Sequence, residues 1–381
     1  MIYITVKQPP MYHQMTLEEF LFQTEAVPAI LNENTTNTRT YAVDRVSDRF
    51  LDRFKFYPPN LIAKLAAFNA STAELRAKPR HELYREFHIP KKSGGLRKID
   101  APEPELMDAL RRLKTIFEED FRVLYHTSAF AYVRKRSTLD AVKRHQQNES
   151  KWFAKYDLSN FFGSTTLPFV VKMFSMIFPF TEIVKTEQGL QELTTALELA
   201  FLDGGLPQGT PISPLITNVM MIPVDYKLAN MFRDYNRQRY VYTRYADDFL
   251  ISSQYDFSFR EIENQIVSVL KEFDAPFTIK PEKTRYGSSA GSNWNLGVML
   301  NKDNQITIGH KKKRQFQAML TSYVLDTLHG NPWDKSDIQT LEGYRNYYRM
   351  VEGEAIDNLV AHLSEKYKAD IVKMIKADLK A

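Results

Sequence analysis

Residues 239–254 read RYVYTRYADDFLISSQ, two β-rich halves around a polar centre that carries the adjacent acids Asp247 and Asp248. Val, Tyr and Thr before the centre, and Phe, Leu and Ile after it, favour a pleated, half-buried backbone, so the stretch predicts a hairpin. Two neighbouring carboxylates repel each other and are costly to bury in a sheet without a cation. A hairpin tip resolves the conflict by projecting the pair into a cleft, where carboxylates with substrate phosphates and water suit a hard divalent metal. Taken alone, a solvated Asp-Asp turn accounts for the same residues equally well.

A second stretch, FAKYDLSNFF at 153–162, delivers Asp157 at the end of an apolar strand, followed by Ser159, Asn160 and two bulky aromatics. An Asp here could simply cap the next helix. Two-metal phosphoryl transfer, however, needs a further carboxylate from a separate element, with ions roughly 3.5–4 Å apart. Asp157 with Asp247 and Asp248 meets that requirement, and the two observations together outweigh either alone.

The remaining chain frames these acids. HIPKKSGGLRKI at 88–99 predicts two strands joined by a glycine turn carrying Lys91, Lys92, Arg97 and Lys98, a cationic hairpin suited to a triphosphate. Basic hairpins are also commonly just solvated. AYVRKRSTLDAV at 131–142 places Arg134, Lys135 and Arg136 before a Ser-capped helix, a candidate phosphate track. LPQGTPISP at 206–214 offers Gln208 and Gly209, whose backbone can lie against a flat ligand; an ordinary loop is the plainer reading. Helices are predicted at 103–120, 138–147, across most of 168–200 and at 258–273, with short strands in NWNLGVML and QITIG. NENTTNTRT at 32–40 reads as a loop. Interleaved strands and helices with several hairpins predict an α+β fold built on an antiparallel sheet.

Composition is compatible with this. The 381 residues exceed what one core usually holds, and 43% are hydrophobic. A net charge of +5 permits a polyanionic partner without requiring one. There is no cysteine, which excludes disulfides, thiolate metal sites and cysteine nucleophiles. The first twenty residues lack the layout of a secretory signal and no apolar run is long enough to span a membrane, so a cytoplasmic location is expected.

In order along the chain, IPKKSGGLRKIDAP, AFAYVRKRSTLDAVKRH, KYDLSNFF, LPQGTPISP, YTRYADDFLIS, KPEKT and LGVML resemble the motif series of prokaryotic reverse transcriptases, closest to the retron and abortive-infection, defence-associated enzymes. The order of the segments is what makes the resemblance specific. Asn295-Leu296-Gly297 stands where retron enzymes usually carry Val-Thr-Gly. The resemblance implies a right-hand polymerase: a mainly helical N-terminal extension (1–84), fingers and palm (85–310) and a helical thumb (311–381). It implies RNA-directed DNA synthesis with two magnesium or manganese ions held by Asp157, Asp247 and Asp248, the alternatives being untemplated or protein-primed synthesis of the abortive-infection type and, less in keeping with three acids, a non-catalytic RNA-binding scaffold. Lys91 and Arg97 match the positions that grip the triphosphate. Phe162 matches the aromatic that excludes a ribose 2′-hydroxyl. Gln208 and Gly209 match the nucleotide- and template-facing loop, and Lys283 the lysine near the leaving phosphate. Leu296 and Gly297 fall in the primer grip. Lys311, Lys312, Lys313 and Arg314, with Arg134 and Arg136, are expected along the nucleic acid. The implied partners are an RNA template, a DNA or RNA primer and deoxynucleoside triphosphates, with a cognate non-coding RNA or an effector protein as further candidates.

Overall fold

The computed structural model describes residues 58–90, 94–121, 123, 125–234, 239–290, 294–295 and 297–380. The loop expected at 32–40, most of the N-terminal extension, Lys91 and Leu296 lie outside the described residues.

The first helix, α1 (Pro58–Ser71), turns Leu61, Leu65 and Phe68 inward at helical spacing, and the short α2 (Ala73–Ala77) adds Leu75. Strands β1 (Tyr84–Pro90) and β2 (Leu96–Pro102) pair antiparallel from Tyr84↔Pro102 to Pro90↔Leu96. Most of this hairpin is exposed and of its strand residues only Pro102 is buried, so it projects from the body instead of contributing to the core. Two backbone bonds hold its base, Glu103 N to Leu83 O at 2.8 Å and Asp100 N to Gln208 O at 2.9 Å.

Helix α3 (Pro104–Thr115) opens on Pro104, whose missing N–H is no loss in a first turn, and buries Leu106, Ala109, Leu110 and Leu113. The helix expected through residue 120 gives way at Ile116–Asp120 to a π-helical turn. Phe117 on that turn meets Phe121 edge-on at 5.4 Å and Phe180 at 5.6 Å, so aromatic packing accompanies the change of pitch. Helix α4 (Thr138–Gln147) begins with a reciprocal capping box between Ser137 and Asp140.

Next come β3 (Trp152–Asp157), α5 (Phe161–Ser164), α6 (Leu167–Phe174), α7 (Phe180–Ile183) and α8 (Glu187–Glu198). The expected helical region 168–200 is therefore broken, with Pro179, which cannot continue a helix ladder, standing before α7. Helices α9 (Ser213–Met220) and α10 (Ile222–Asp234) lead to the hairpin β4 (Val241–Tyr245) and β5 (Asp248–Ser253), then α11 (Phe259–Glu272) and β6 (Arg285–Ser288). These strands form an antiparallel sheet in the order β4-β5-β3-β6. The α+β expectation holds.

Pleating decides which side chain meets which face. Ala154 and Tyr156 of β3, with Phe249 and Ile251 of β5, enter the main core beneath the helices. Phe153 and Leu250 point the other way, into a small cluster with Val142, Val298 and Leu300. Asp157 is in step with Phe153 and Asp248 with Leu250, so both acids belong to the face opposite the main core.

A second sheet, β7 (Trp294–Asn295), β8 (Val298–Leu300) and β9 (Ile306–Thr307), leads into α12 (His310–Leu328), α13 (Lys335–Lys366) and α14 (Ile371–Asp378). The C-terminal helices have their own core around Phe316, Leu320, Tyr323, Leu341 and Val360. Helix α13 kinks at Glu352 (φ −138°, ψ 63°), whose carboxylate accepts from Ile308 N at 2.7 Å and Thr307 Oγ1 at 2.9 Å. The kink thus turns an acid of α13 onto the end of β9. No helix among the described residues is long and apolar enough to cross a membrane.

Candidate active site

The antiparallel register sets Asp157 of β3 opposite Asp248 of β5, and Asp248 opposite Tyr245 of β4. Ala246 and Asp247 therefore form a two-residue connection at the end of the central strands. Ala246 has φ +57°, a left-handed conformation that costs an L-residue about 1–2 kcal/mol and needs support from its surroundings. Support comes from two sides. Arg244 Nη1 donates to Ala246 O at 3.1 Å, and Leu158 N donates to Asp247 O at 3.0 Å. The second bond ties the acidic turn directly to the residue after Asp157. A further segment closes in where Lys280 N donates to Asp157 O at 2.8 Å and Ser159 N to Thr278 O at 2.7 Å.

Lysines surround the acids. Lys283 Nζ lies 3.0 Å from both carboxylate oxygens of Asp157, and Lys280 Nζ lies 3.2 Å from Oδ1. Lys155 Nζ, on the same face of β3 as Asp157, lies 2.7 Å from Asp248 Oδ2. Burial, and after it the charges of Asp248 and Asp157, pushes the Asp247 carboxyl above its ordinary range. Burial also raises Asp248, against the pull of Lys155. For Lys283, burial works against the charge, but its hydrogen bonds to Asp157 and the charges of Asp157 and Asp247 outweigh it, and its pKa is raised.

The residues fit a divalent cation in their chemistry. The donors are hard carboxylate oxygens, two of the acids are held above their usual range by burial, and Asp248 Oδ1 is buried with no hydrogen-bond partner among the described residues. As the side chains stand, no three His, Asp or Glu side chains among the described residues converge on one point. The ammonium groups of Lys155, Lys280 and Lys283 occupy the outward oxygens instead, and a cation would have to take their place.

Several sequence-derived candidates gather where the β1–β2 hairpin meets the body, with Leu206 N donating to Phe162 O at 3.0 Å. Phe162 is half-buried on α5 and packs edge-on against Phe161 at 5.7 Å. Gln208 is tied to the β1–β2 hairpin through its carbonyl, and Gly209 (φ +119°) lies against it: an added Cβ would sit 2.8 Å from Ile99 Cγ2 and 3.0 Å from Asp100 O. Glycine is therefore required there by both backbone and space. A cleft of about 230 Å³ opens between hairpin and body, lined by Lys98, Asp100, Asn160, Gly163 and Gln208 among others. Arg97 is exposed on β2. Lys98 lies 3.1 Å from Glu86 and 3.2 Å from Asp100, so the hairpin's own acids balance it.

Other candidates have structural duties. Arg136 Nη1 donates to His126 O and Ala129 O, both at 2.6 Å, knitting a loop together, whereas Arg134 is exposed and 3.3 Å from Glu118. Gly297 takes φ +91° in the turn before β8, and Lys312 Nζ donates to its carbonyl. Lys313 Nζ lies 2.6 Å from Glu352. Cations at a helix N-terminus oppose the dipole, but for Lys312 and Lys313 a carbonyl and a carboxylate within the chain account for them. Lys311 and Arg314 face outward.

Sequence reasoning missed three features. Tyr132 has φ +59° and a half-exposed ring, and burial followed by the charges of Asp247 and Tyr245 raises its phenol; Arg97 acts on it in the opposite sense. A bulky residue at positive φ beside the acids is a recognised mark of a functional site. Lys155 was overlooked because nothing in FAKYDL distinguishes it from a snorkelling lysine. Arg244 and Asp225 are fully buried and paired at 2.7 Å. The signal was there: a lone Arg inside VYTRY and a lone Asp inside the apolar MMIPVDYKLANMF.

Residues 89–317 match the family described as reverse transcriptase (RNA-dependent DNA polymerase). The chain is 27% identical over 297 residues to the retron Ec83 reverse transcriptase of Escherichia coli, covering 77% of this chain and 89% of that protein. It is 26% identical over 300 residues to the retron Mx162 reverse transcriptase of Myxococcus xanthus, covering 74% of this chain and 60% of that protein. Among solved structures, an apo telomerase from Candida tropicalis superposes with a TM-score of 0.44 at 12% identity, over 78% of this chain and 62% of the other.

Proposed function

We propose, from the premise that this chain belongs to the reverse transcriptase (RNA-dependent DNA polymerase) family, that Asp157, Asp247 and Asp248 form its nucleotidyl-transfer centre. The observation that supports this reading most is the pairing of Asp157 with Asp248, with the Asp247 carbonyl bonded to Leu158 N at 3.0 Å. Asp157 and Asp248 share the sheet face that the main core leaves free, and Asp247 adjoins them in the turn, although the three side chains do not yet converge on one point. A purely structural role gives no reason to gather mutually repelling acids.

Magnesium or manganese ions, two to a site, would be held by these carboxylates and would supply the positive charge that stabilises the attacking oxygen and the pyrophosphate. The chain's own groups do the rest. Arg97, exposed on the projecting hairpin, and Lys91 grip the triphosphate of the incoming deoxynucleotide, Arg97 as a fork and Lys91 as a point charge. Gln208 and Gly209 lie against the nascent base pair. Phe162 closes the space a ribose 2′-hydroxyl would need. Lys283, kept protonated by its acidic neighbours, gives its proton to the departing pyrophosphate oxygen. Leu296 and Gly297 steady the primer terminus, while Arg134, Lys311 and Arg314 follow the duplex phosphates and Arg136, Lys312 and Lys313 hold the chain beside them. On this reading residues 1–84 form an N-terminal extension, 85–310 fingers and palm, and 311–381 the thumb.

We further propose that the template is a cognate structured non-coding RNA and that synthesis serves a retron-like, anti-phage role in the cytoplasm. Its support is the similarity to proteins named retron reverse transcriptases. The test is extension of a labelled oligo(dT) primer on poly(rA) with dTTP, beside a template-free reaction. Extension only with poly(rA) is expected; equal incorporation without template would replace this reading with untemplated or protein-primed synthesis. Sequencing nucleic acid that co-purifies with the protein then identifies the template.

A further inference from the structure

Beneath the acidic turn lies a buried polar network that takes no direct part in the chemistry above. The Arg244 and Asp225 side chains are both 0% exposed. Arg244 donates through Nε to Asp225 Oδ1 at 2.8 Å and through Nη2 to Oδ2 at 2.7 Å. Its Nη1 reaches Asn218 Oδ1 and the Ala246 carbonyl, each at 3.1 Å. Tyr242 Oη donates to Asp225 Oδ1 at 2.7 Å, and Asn218 Nδ2 to Ala131 O at 2.6 Å. The backbone of Arg244 also anchors the 128–131 loop, with Arg244 N donating to Ser128 O at 2.7 Å and Phe130 N to Arg244 O at 2.9 Å.

A buried ion pair is a poor device for stability alone, because apolar residues of similar volume commonly serve as well or better. What the guanidinium does here that an apolar side chain cannot is hold the peptide between Ala246 and Asp247. That peptide follows the strained left-handed residue, and its rotation would swing the Asp247 side chain. A lysine could pair with Asp225 but could not fork to it and still reach the Ala246 carbonyl.

We propose that Arg244, oriented by Asp225, is a positioning residue that aims the Asp247–Asp248 turn. The inference rests on the reading of those acids as the transfer centre. Two variants test it: Arg244→Met combined with Asp225→Leu, which removes both charges together, and Arg244→Lys, which keeps the charge and loses the fork. Each is measured by thermal melting, by manganese binding in calorimetry without nucleotide, and by kcat and KM in extension on poly(rA). A misplacement of about 1 Å can cost on the order of 100-fold in rate. The expected result is a cooperative melt, lowered in the double variant because Tyr242 Oη, Asn218 Oδ1 and the Ala246 carbonyl lose a partner there, with kcat lower by about that factor, manganese affinity weakened several-fold, and an almost unchanged KM for dTTP. Should the double variant not fold, Arg244→Lys alone decides. A folded variant with the parent's kcat and manganese affinity overturns the proposal. Asp247→Asn separates the two levels: full activity in that variant overturns the transfer centre and this inference together, whereas an inactive Asp247→Asn beside parent-like Arg244 variants overturns the inference only.

Discussion

Replacing Gly209 with alanine should loosen the grip on the nucleotide while leaving the body of the protein folded. At φ +119° an alanine is strained by about 1–3 kcal/mol. Its Cβ would also stand 2.8 Å from Ile99 Cγ2 and 3.0 Å from Asp100 O, so β2 must retreat. Retreat weakens the Asp100 N to Gln208 O bond, now 2.9 Å, whose net worth is about 0.5–1.5 kcal/mol. The sum is about 1.5–4.5 kcal/mol. Because the hairpin is otherwise exposed, the cheapest relief is to undock it from the 206–210 loop. If about 2 kcal/mol of that strain appears as undocking, KM for dTTP rises about 30-fold. The assay is steady-state extension on poly(rA) over a range of dTTP, with kcat expected within about threefold of the parent. Gly204 is the control: its φ is +79° but nothing lies within 4 Å of an added Cβ, so Gly204→Ala should leave KM alone. A parent-like KM in Gly209→Ala, or an equal rise in Gly204→Ala, would refute the argument.

Three further outcomes are expected. Phe162→Ala removes a half-buried ring and should raise ribonucleotide incorporation relative to deoxynucleotide by about 10–200-fold, the range for one steric group in a pocket; competition between rUTP and dTTP reads this directly. Replacing Lys311 and Arg314 together with alanine should make the slope of log affinity against log salt for a template–primer duplex shallower by between about one and two. The same change at Lys312 and Lys313 should instead lower the melting temperature, since those side chains hold Gly297 and Glu352. His145 is fully buried between Ser252 Oγ at 2.6 Å and Thr243 Oγ1 at 2.8 Å, and burial pushes it down to about 3. Its folded pKa lies below the unfolded value of about 6.5, so stability is full above that value and is lost as the unfolded chain alone takes up a proton. Between pH 7 and pH 5 the parent should lose about 2 kcal/mol more than His145→Asn in urea denaturation; parallel curves would contradict the assignment.

The strand–turn–strand at 239–254 was legible because its two halves are rich in β-branched and aromatic residues and its acids have no place in a core. Asp157 was legible as an acid at a strand end, and register did the rest: only the pairing of β3 with β5 sets it opposite Asp248. The helix boundaries that slipped did so for tertiary reasons. The π-helical turn at Ile116–Asp120 accompanies the packing of Phe117 on Phe121 and on Phe180, the second a long-range contact no local pattern announces. Charge was the least legible property. Lys311 to Arg314 read as one basic patch, yet two of its members face Gly297 and Glu352 inside the chain. Conversely, Arg244 and Asp225 looked like ordinary polar residues in apolar surroundings, because their partnership spans two elements.

The central claim is that Asp157, Asp247 and Asp248 act as one centre. Its most direct test is single-turnover primer extension on poly(rA) by Asp157→Asn, with circular dichroism and melting measured on the same preparation. Lys280 and Lys283 lose a partner but remain partly exposed, so the fold should weaken by no more than about 1 kcal/mol. An intact fold with extension reduced about 100–1000-fold is expected, as when charge stabilisation is removed from a transition state. An intact Asp157→Asn protein extending primers at the parent's rate would contradict the central claim.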